Sequence, residues 1–147
     1  WRVGFIFAAA AIITEIRKTH MYLVSSTSSI SQKAALEAVT VGMDDAMPMK
    51  AEYQKRRDYL YEELSGMGFE IARPNGAFYI FAKIPKRFGS DSMAFCVDLA
   101  KKVHLAVIPG IAFGEAGEGY IRISYAASME KLREAMKRMR EYICKDR

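Results

Sequence analysis

The sequence predicts an α/β protein, and three observations carry that prediction. Apolar runs rich in β-branched and aromatic residues, such as "AFYIFAKI" and "GYIRISYA", read as strands. Stretches with helical spacing separate them, so strands are punctuated by helices. Between "FEIA" and "AFYIFAKI" stands "RPNG", whose Asn-Gly pair predicts an antiparallel hairpin with a tight turn. The 147 residues, 51% hydrophobic and 27% charged, can bury a sizeable core.

"WRVGFIFA" opens the chain and reads as a buried strand. Helical spacing follows from about Ala9 to Leu23, with Ile12, Ile13, Ile16 and Leu23 expected inward. "SSTSSIS", residues 25–31, is a hydroxyl-rich break before a helix over "QKAALEAVTV", which Gly42 ends. Capping is one use of those hydroxyls; facing a site or a subunit interface is another. Asp44 and Asp45 open a long helix to about Met67, with Pro48 in its first turn. Tyr53, Leu60, Leu64 and Met67 fall at helical spacing, and Gly66 and Gly68 stop it.

The hairpin comes next, its second arm apolar on both faces and so expected to be covered on both. Ser90, Asp91 or Ser92 caps a helix to about Val103. "LAVIPG" is a short strand closed by Pro109-Gly110, and "GYIRISYA" follows the glycine-rich "FGEAGEG". A last helix, Ser128 to Cys144, aligns Leu132, Ala135, Met136, Met139 and Ile143.

Composition narrows the function. The net charge of +5 owes much to the basic last helix, which reads as a solvated face and lacks the interleaved aromatics of a nucleic-acid binder. Cys96 and Cys144 are isolated and form no disulfide framework, which points to a reducing cytoplasmic setting. His20 and His104 stand alone, so no metal site is expected. "VGFIFAAAAII" is cut short by Glu15 and Arg17, too short for a membrane span.

One strand carries a residue that its pattern does not explain. Successive side chains of a strand point to opposite faces. Ile121, Ile123 and Tyr125 therefore share one face, and Tyr120, Arg122 and Ser124 the other. On the strand alone, a salt bridge from Arg122 to a neighbouring Asp or Glu is the simpler reading.

"WRVGF", "PNGAFYIF" and "VIPGIAFGEAGEGYIRISYA" together say more. The combination resembles the C-terminal part of the fold-type I, pyridoxal-phosphate-dependent aminotransferases (class I/II). It looks most like the bacterial aromatic-amino-acid and N-acetyl-diaminopimelate aminotransferases, and the resemblance runs from Trp1 to the last helix. It implies residues 1–43 as the tail of a large cofactor-binding domain and residues 44–147 as a small domain. In the small domain, helices cover a small mixed or antiparallel sheet. It also implies a cytoplasmic homodimer without nucleic-acid or membrane partners, acting on an amino acid and a 2-keto acid.

By the same resemblance, Arg122 grips the substrate α-carboxylate. A planar guanidinium matches a carboxylate through two parallel charge-assisted hydrogen bonds. Arg2 holds the phosphate of pyridoxal 5'-phosphate, and Gly76 and Phe78 approach the substrate. Pro109-Gly110 and Phe113-Gly114 shape the loop that delivers Arg122. No catalytic residue is expected in this stretch, because the family's Schiff-base lysine would precede Trp1 and no lysine here stands in a comparable context. The expectation is thus a C-terminal piece of an aminotransferase, inactive by itself. The alternatives are a pyridoxal-phosphate-dependent lyase or decarboxylase on the same scaffold, or a non-catalytic interaction module.

Overall fold

A computed structural model describes residues 1–145. The chain divides into two units, Trp1–Met49 and the residues from Lys50 onward. This division lies a few residues beyond the boundary expected at residue 44.

In the first unit, residues 1–9 take no regular structure, where a buried strand was expected. A strand needs a neighbour for its N–H and C=O groups and a surface for its side chains. Residues 1–49 provide neither, and none of them is buried. Two helices follow, α1 (Ala10–Val24) and α2 (Ser29–Thr40). Of the four positions expected inward on α1, Ile13 and Ile16 are half-buried, whereas Ile12 and Leu23 are exposed. The start of α2 lies three residues ahead of the expected Gln32. Its N-cap, Ser28, makes no side-chain capping bond. Instead, Gln32 Nε2 donates to the Thr27 carbonyl at 2.8 Å, and Ser31 Oγ donates to the Trp1 carbonyl at 3.2 Å.

So much unburied apolar surface has a consequence. Trp1 is 80% exposed, Phe7 91% and Tyr22 86%. Exposed apolar surface on this scale promotes association in water. Purified alone, the 147-residue chain is expected to self-associate, which sedimentation velocity over a concentration series would show as a rising weight-average mass.

The second unit is built on a four-stranded sheet. Its elements are α3 (Met47–Gly66, of which residues 50–66 fall in this unit), β1 (Glu70–Ile71), β2 (Tyr79–Lys83), α4 (Ser92–Val103), β3 (Ile108–Pro109), β4 (Tyr120–Ser124) and α5 (Met129–Lys145). Strand order is β1-β2-β4-β3, antiparallel throughout. One face of the sheet presents Ile80, Ala82, Ile121 and Ile123. These join Leu60 and Leu64 of α3, Phe95 and Leu99 of α4, and Leu132, Met136 and Met139 of α5 in one buried cluster. The alternation of β4 and the stripe of α5 are those the sequence implies.

Asp91 is the N-cap of α4, its carboxylate accepting from the Ala94 N–H at 2.8 Å. Losing such a cap costs about 1 kcal/mol. In urea unfolding, Asp91→Ala is expected to destabilise by about that amount, while Ser28→Ala, which removes no cap bond, is expected to change nothing measurable.

Two expectations fail in this unit. The hairpin is not closed by a tight Asn-Gly turn: Ile71 pairs with Ala82 and the strands then part, leaving residues 72–78 as a wide connection. Its left-handed residue is Ala77 (φ 55°), not Asn75 or Gly76. Contacts from distant residues hold it there. Tyr125 Oη donates to the Ala77 carbonyl at 2.8 Å, and Arg57 Nη1 to the Pro74 carbonyl at 3.3 Å. Nor is β2 covered on both faces, for Tyr79, Phe81 and Lys83 line a face that stays partly open.

Candidate functional site

That open face is where Arg122 lies. In the ladder, Arg122 is opposite Phe81 of β2 on one side and Ile108 of β3 on the other. Its guanidinium carbon lies over the Tyr79 ring at 4.3 Å and over the Phe113 ring at 4.1 Å. Phe81 stacks on Tyr120 at 5.3 Å and meets Phe113 edge-on at 6.0 Å, which packs the surround of the arginine with rings.

No carboxylate completes the arrangement. Among the described residues Arg122 makes no hydrogen bond and no ion pair, so the structural salt bridge suggested by the strand alone is not formed there. Several other arginines of this unit behave differently. Arg57 and Arg73 share Asp58, whose carboxyl their hydrogen bonds hold below its ordinary range. Arg138 meets Glu134, and Arg140 meets Glu63. Arg122 is a half-buried cation held by aromatic faces, its N–H groups unspent.

The loop before β4 carries Phe113 to that position. It runs through two 3-10 turns, Gly110–Phe113 and Glu115–Gly117. Gly110 and Gly117 bring their backbones together so closely that a Cβ on Gly110 would lie 1.9 Å from the Gly117 carbonyl oxygen. Glu118 fastens the same loop to the start of α4. Its carboxylate accepts from the Ser92 N–H at 2.6 Å and from Ser92 Oγ at 3.1 Å. Ser92 Oγ in turn accepts from the Ile111 N–H at 3.3 Å. Sequence reasoning missed this connection and the ring contacts of Tyr79 and Phe113; its only signal was the glycine-rich spacing around Phe113.

Two of the remaining candidates, Phe78 and Gly76, share the second unit with this arginine. Phe78 is 40% exposed and packs on Tyr79 at 4.6 Å and on Tyr53 at 5.9 Å, so Tyr79 links it to Arg122. Gly76 lines, with Phe78, Tyr53, Arg57 and Tyr125, an open groove of about 340 Å³ whose lining does not include Arg122. Arg2 belongs to the first unit. It is exposed, with φ 59°, and has no hydrogen bond or ion pair among the described residues.

Neither cysteine adds to the site. Burial pushes the Cys96 thiol up to about 11, from an ordinary value of 9.0. A raised acid favours the folded state below the ordinary value, and that advantage fades as pH climbs toward 11. At pH 8, Ellman's reagent is expected to react with exposed Cys144 at once and with Cys96 only after unfolding. Among the described residues no group of acids, histidines and cysteines suits a metal ion, and no helix is long and apolar enough to cross a membrane.

Comparisons with known proteins bear on this geometry. The family model "Aminotransferase class I and II" matches residues 1–139. The chain is 50% identical, over its whole length, to the probable N-acetyl-LL-diaminopimelate aminotransferase of Bacillus subtilis, covering 37% of that protein. It is 39% identical to aromatic-amino-acid aminotransferase 2 of Thermococcus litoralis, with 97% of this chain and 37% of that one matched. Among solved structures, the aromatic aminotransferase of Pyrococcus horikoshii superposes with a TM-score of 0.86 at 40% identity, over 99% of this chain and 39% of that one. The chain thus spans under two fifths of the length of these relatives.

Proposed function

From the premise that this chain belongs to the class I and II aminotransferases and corresponds to the C-terminal portion of their fold, we propose that it supplies the substrate-carboxylate grip of a pyridoxal-phosphate-dependent aminotransferase. The observation that carries this reading is Arg122, a half-buried guanidinium beside aromatic rings with no carboxylate partner among the described residues. Its unspent N–H fork can donate two parallel hydrogen bonds to a carboxylate. Both substrates, an amino acid and a 2-keto acid, present that group, so one grip serves both halves of the reaction. A strand fixes the direction of the side chain, and the rings reduce the water around it. Substrate Cα is thereby held in one place relative to the sheet.

Arg2 suits the cofactor phosphate, since an exposed guanidinium without a partner among the described residues is matched to a dianion. When bound, pyridoxal phosphate supplies the aldehyde that takes up the amino group and the ring that withdraws electrons. The Schiff-base lysine comes from outside these residues. Lys83, on the same sheet face as Arg122, is engaged by Glu70 at 3.2 Å. The 147 residues alone are therefore expected not to transfer amino groups. In this reading the first unit belongs to the large domain and the second is the small domain of a cytoplasmic homodimer.

The test is made on the full-length protein. With an amino donor and a 2-keto acid acceptor, amino transfer is expected, together with a visible absorption band that borohydride abolishes. Ammonia or carbon dioxide released without any keto acid would instead make the protein a lyase or a decarboxylase.

A further inference from the structure

We propose that Tyr79 and Phe113 are positioning residues for the reaction, an aromatic clasp that sets the plane of the Arg122 guanidinium before a carboxylate arrives. The inference rests on the aminotransferase reading and adds two residues to it. The Arg122 guanidinium carbon lies 4.3 Å from the centre of one ring and 4.1 Å from the centre of the other. Both rings are themselves anchored. Tyr79 packs on Phe78, and Phe113 meets Phe81 edge-on and sits on the turn that Glu118 and Ser92 fasten to α4.

A free arginine side chain loses rotamer freedom when it grips a ligand, and that loss weakens binding. An arginine already held by two rings loses less. Ring faces also attract a guanidinium without occupying its N–H donors in the way that a carboxylate does. The clasp thus orients the cation and keeps its hydrogen bonds for the ligand. An acidic neighbour would orient it equally well but would compete with the substrate.

The clasp holds the carboxylate in the same way in the ground state and the transition state. Its loss therefore appears in KM and in carboxylate affinity, not in kcat. One cation–π contact is worth a several-fold change in affinity. Both rings are partly exposed, so shortening either leaves the buried cluster intact.

The experiment uses the full-length holoprotein, with succinate and 3-phenylpropionate as unreactive carboxylate probes in titration calorimetry. Tyr79→Leu and Phe113→Leu are each expected to weaken the tighter probe about 5- to 10-fold. KM should rise in parallel for amino acid and keto acid while kcat stays within about twofold. Tyr79→Phe, which keeps the ring, is expected to match the parent protein, and Phe113→Met replaces Phe113→Leu if the latter does not fold. Ring deletions that leave affinity unchanged, while Arg122→Ala loses it, would overturn the clasp and spare the carboxylate grip. If Arg122→Ala also binds normally, the grip itself is wrong. Loss of kcat without loss of affinity would show the rings acting elsewhere in the reaction.

Discussion

Arg122→Ala in the full-length protein is expected to lower kcat/KM by about 100- to 1000-fold, the loss of roughly 3–4 kcal/mol from a desolvated bidentate charge pair. Folding stability should hardly change, because among the described residues no carboxylate or carbonyl is bonded to this side chain. Arg122→Lys should recover little, since an ammonium is a point charge without the planar fork that matches a carboxylate. The combination is diagnostic. A structural arginine would show the reverse, with stability lost and kinetics spared, and thermal unfolding run beside steady-state kinetics reads both.

Gly110→Ala is expected to destabilise the fold by about 3 kcal/mol, at the upper end of the cost of overpacking. Its Cβ would meet the Gly117 carbonyl oxygen at 1.9 Å and the Tyr120 carbonyl oxygen at 2.8 Å. Both are backbone atoms, so no side chain can swing aside to make room. Gly117→Ala should behave alike, its Cβ falling 2.2 Å from the Gly110 carbonyl oxygen. Because this crossing sets the turn that carries Phe113, surviving protein should also bind carboxylates more weakly. Gly76→Ala provides the contrast. Nothing lies within 4 Å of its Cβ and its φ is not left-handed, so unfolding should show no loss. Urea unfolding of the three variants separates these cases.

What the sequence made legible follows from how local the cause was. The alternation of Tyr120–Ser124, a cap among residues 90–92 and the stripe of α5 depend on residues close together in the chain; the first and last are found as read, and the structure selects Asp91 for the cap. The Asn-Gly turn was misread because the shape of residues 72–78 is set by Tyr125 and Arg57, far away in sequence. "WRVGFIFA" has strand composition but no strand partner among these residues, and composition cannot supply a ladder. The motif around Arg122 marked it as a candidate, and its lack of a carboxylate partner among the described residues agrees with that reading without testing it. The aromatic rings over Arg122 were not legible, because Tyr79 reaches it from another strand and Phe113 from a loop whose course depends on the backbone crossing at Gly110 and Gly117.

The most direct test of the carboxylate grip is a crystal structure of the full-length protein with a 2-keto acid bound. Two carboxylate oxygens, each about 2.7–2.9 Å from an Arg122 guanidinium nitrogen, would be the predicted result. A keto acid carboxylate held by other residues, with Arg122 paired instead to an aspartate or glutamate of the protein, would contradict it.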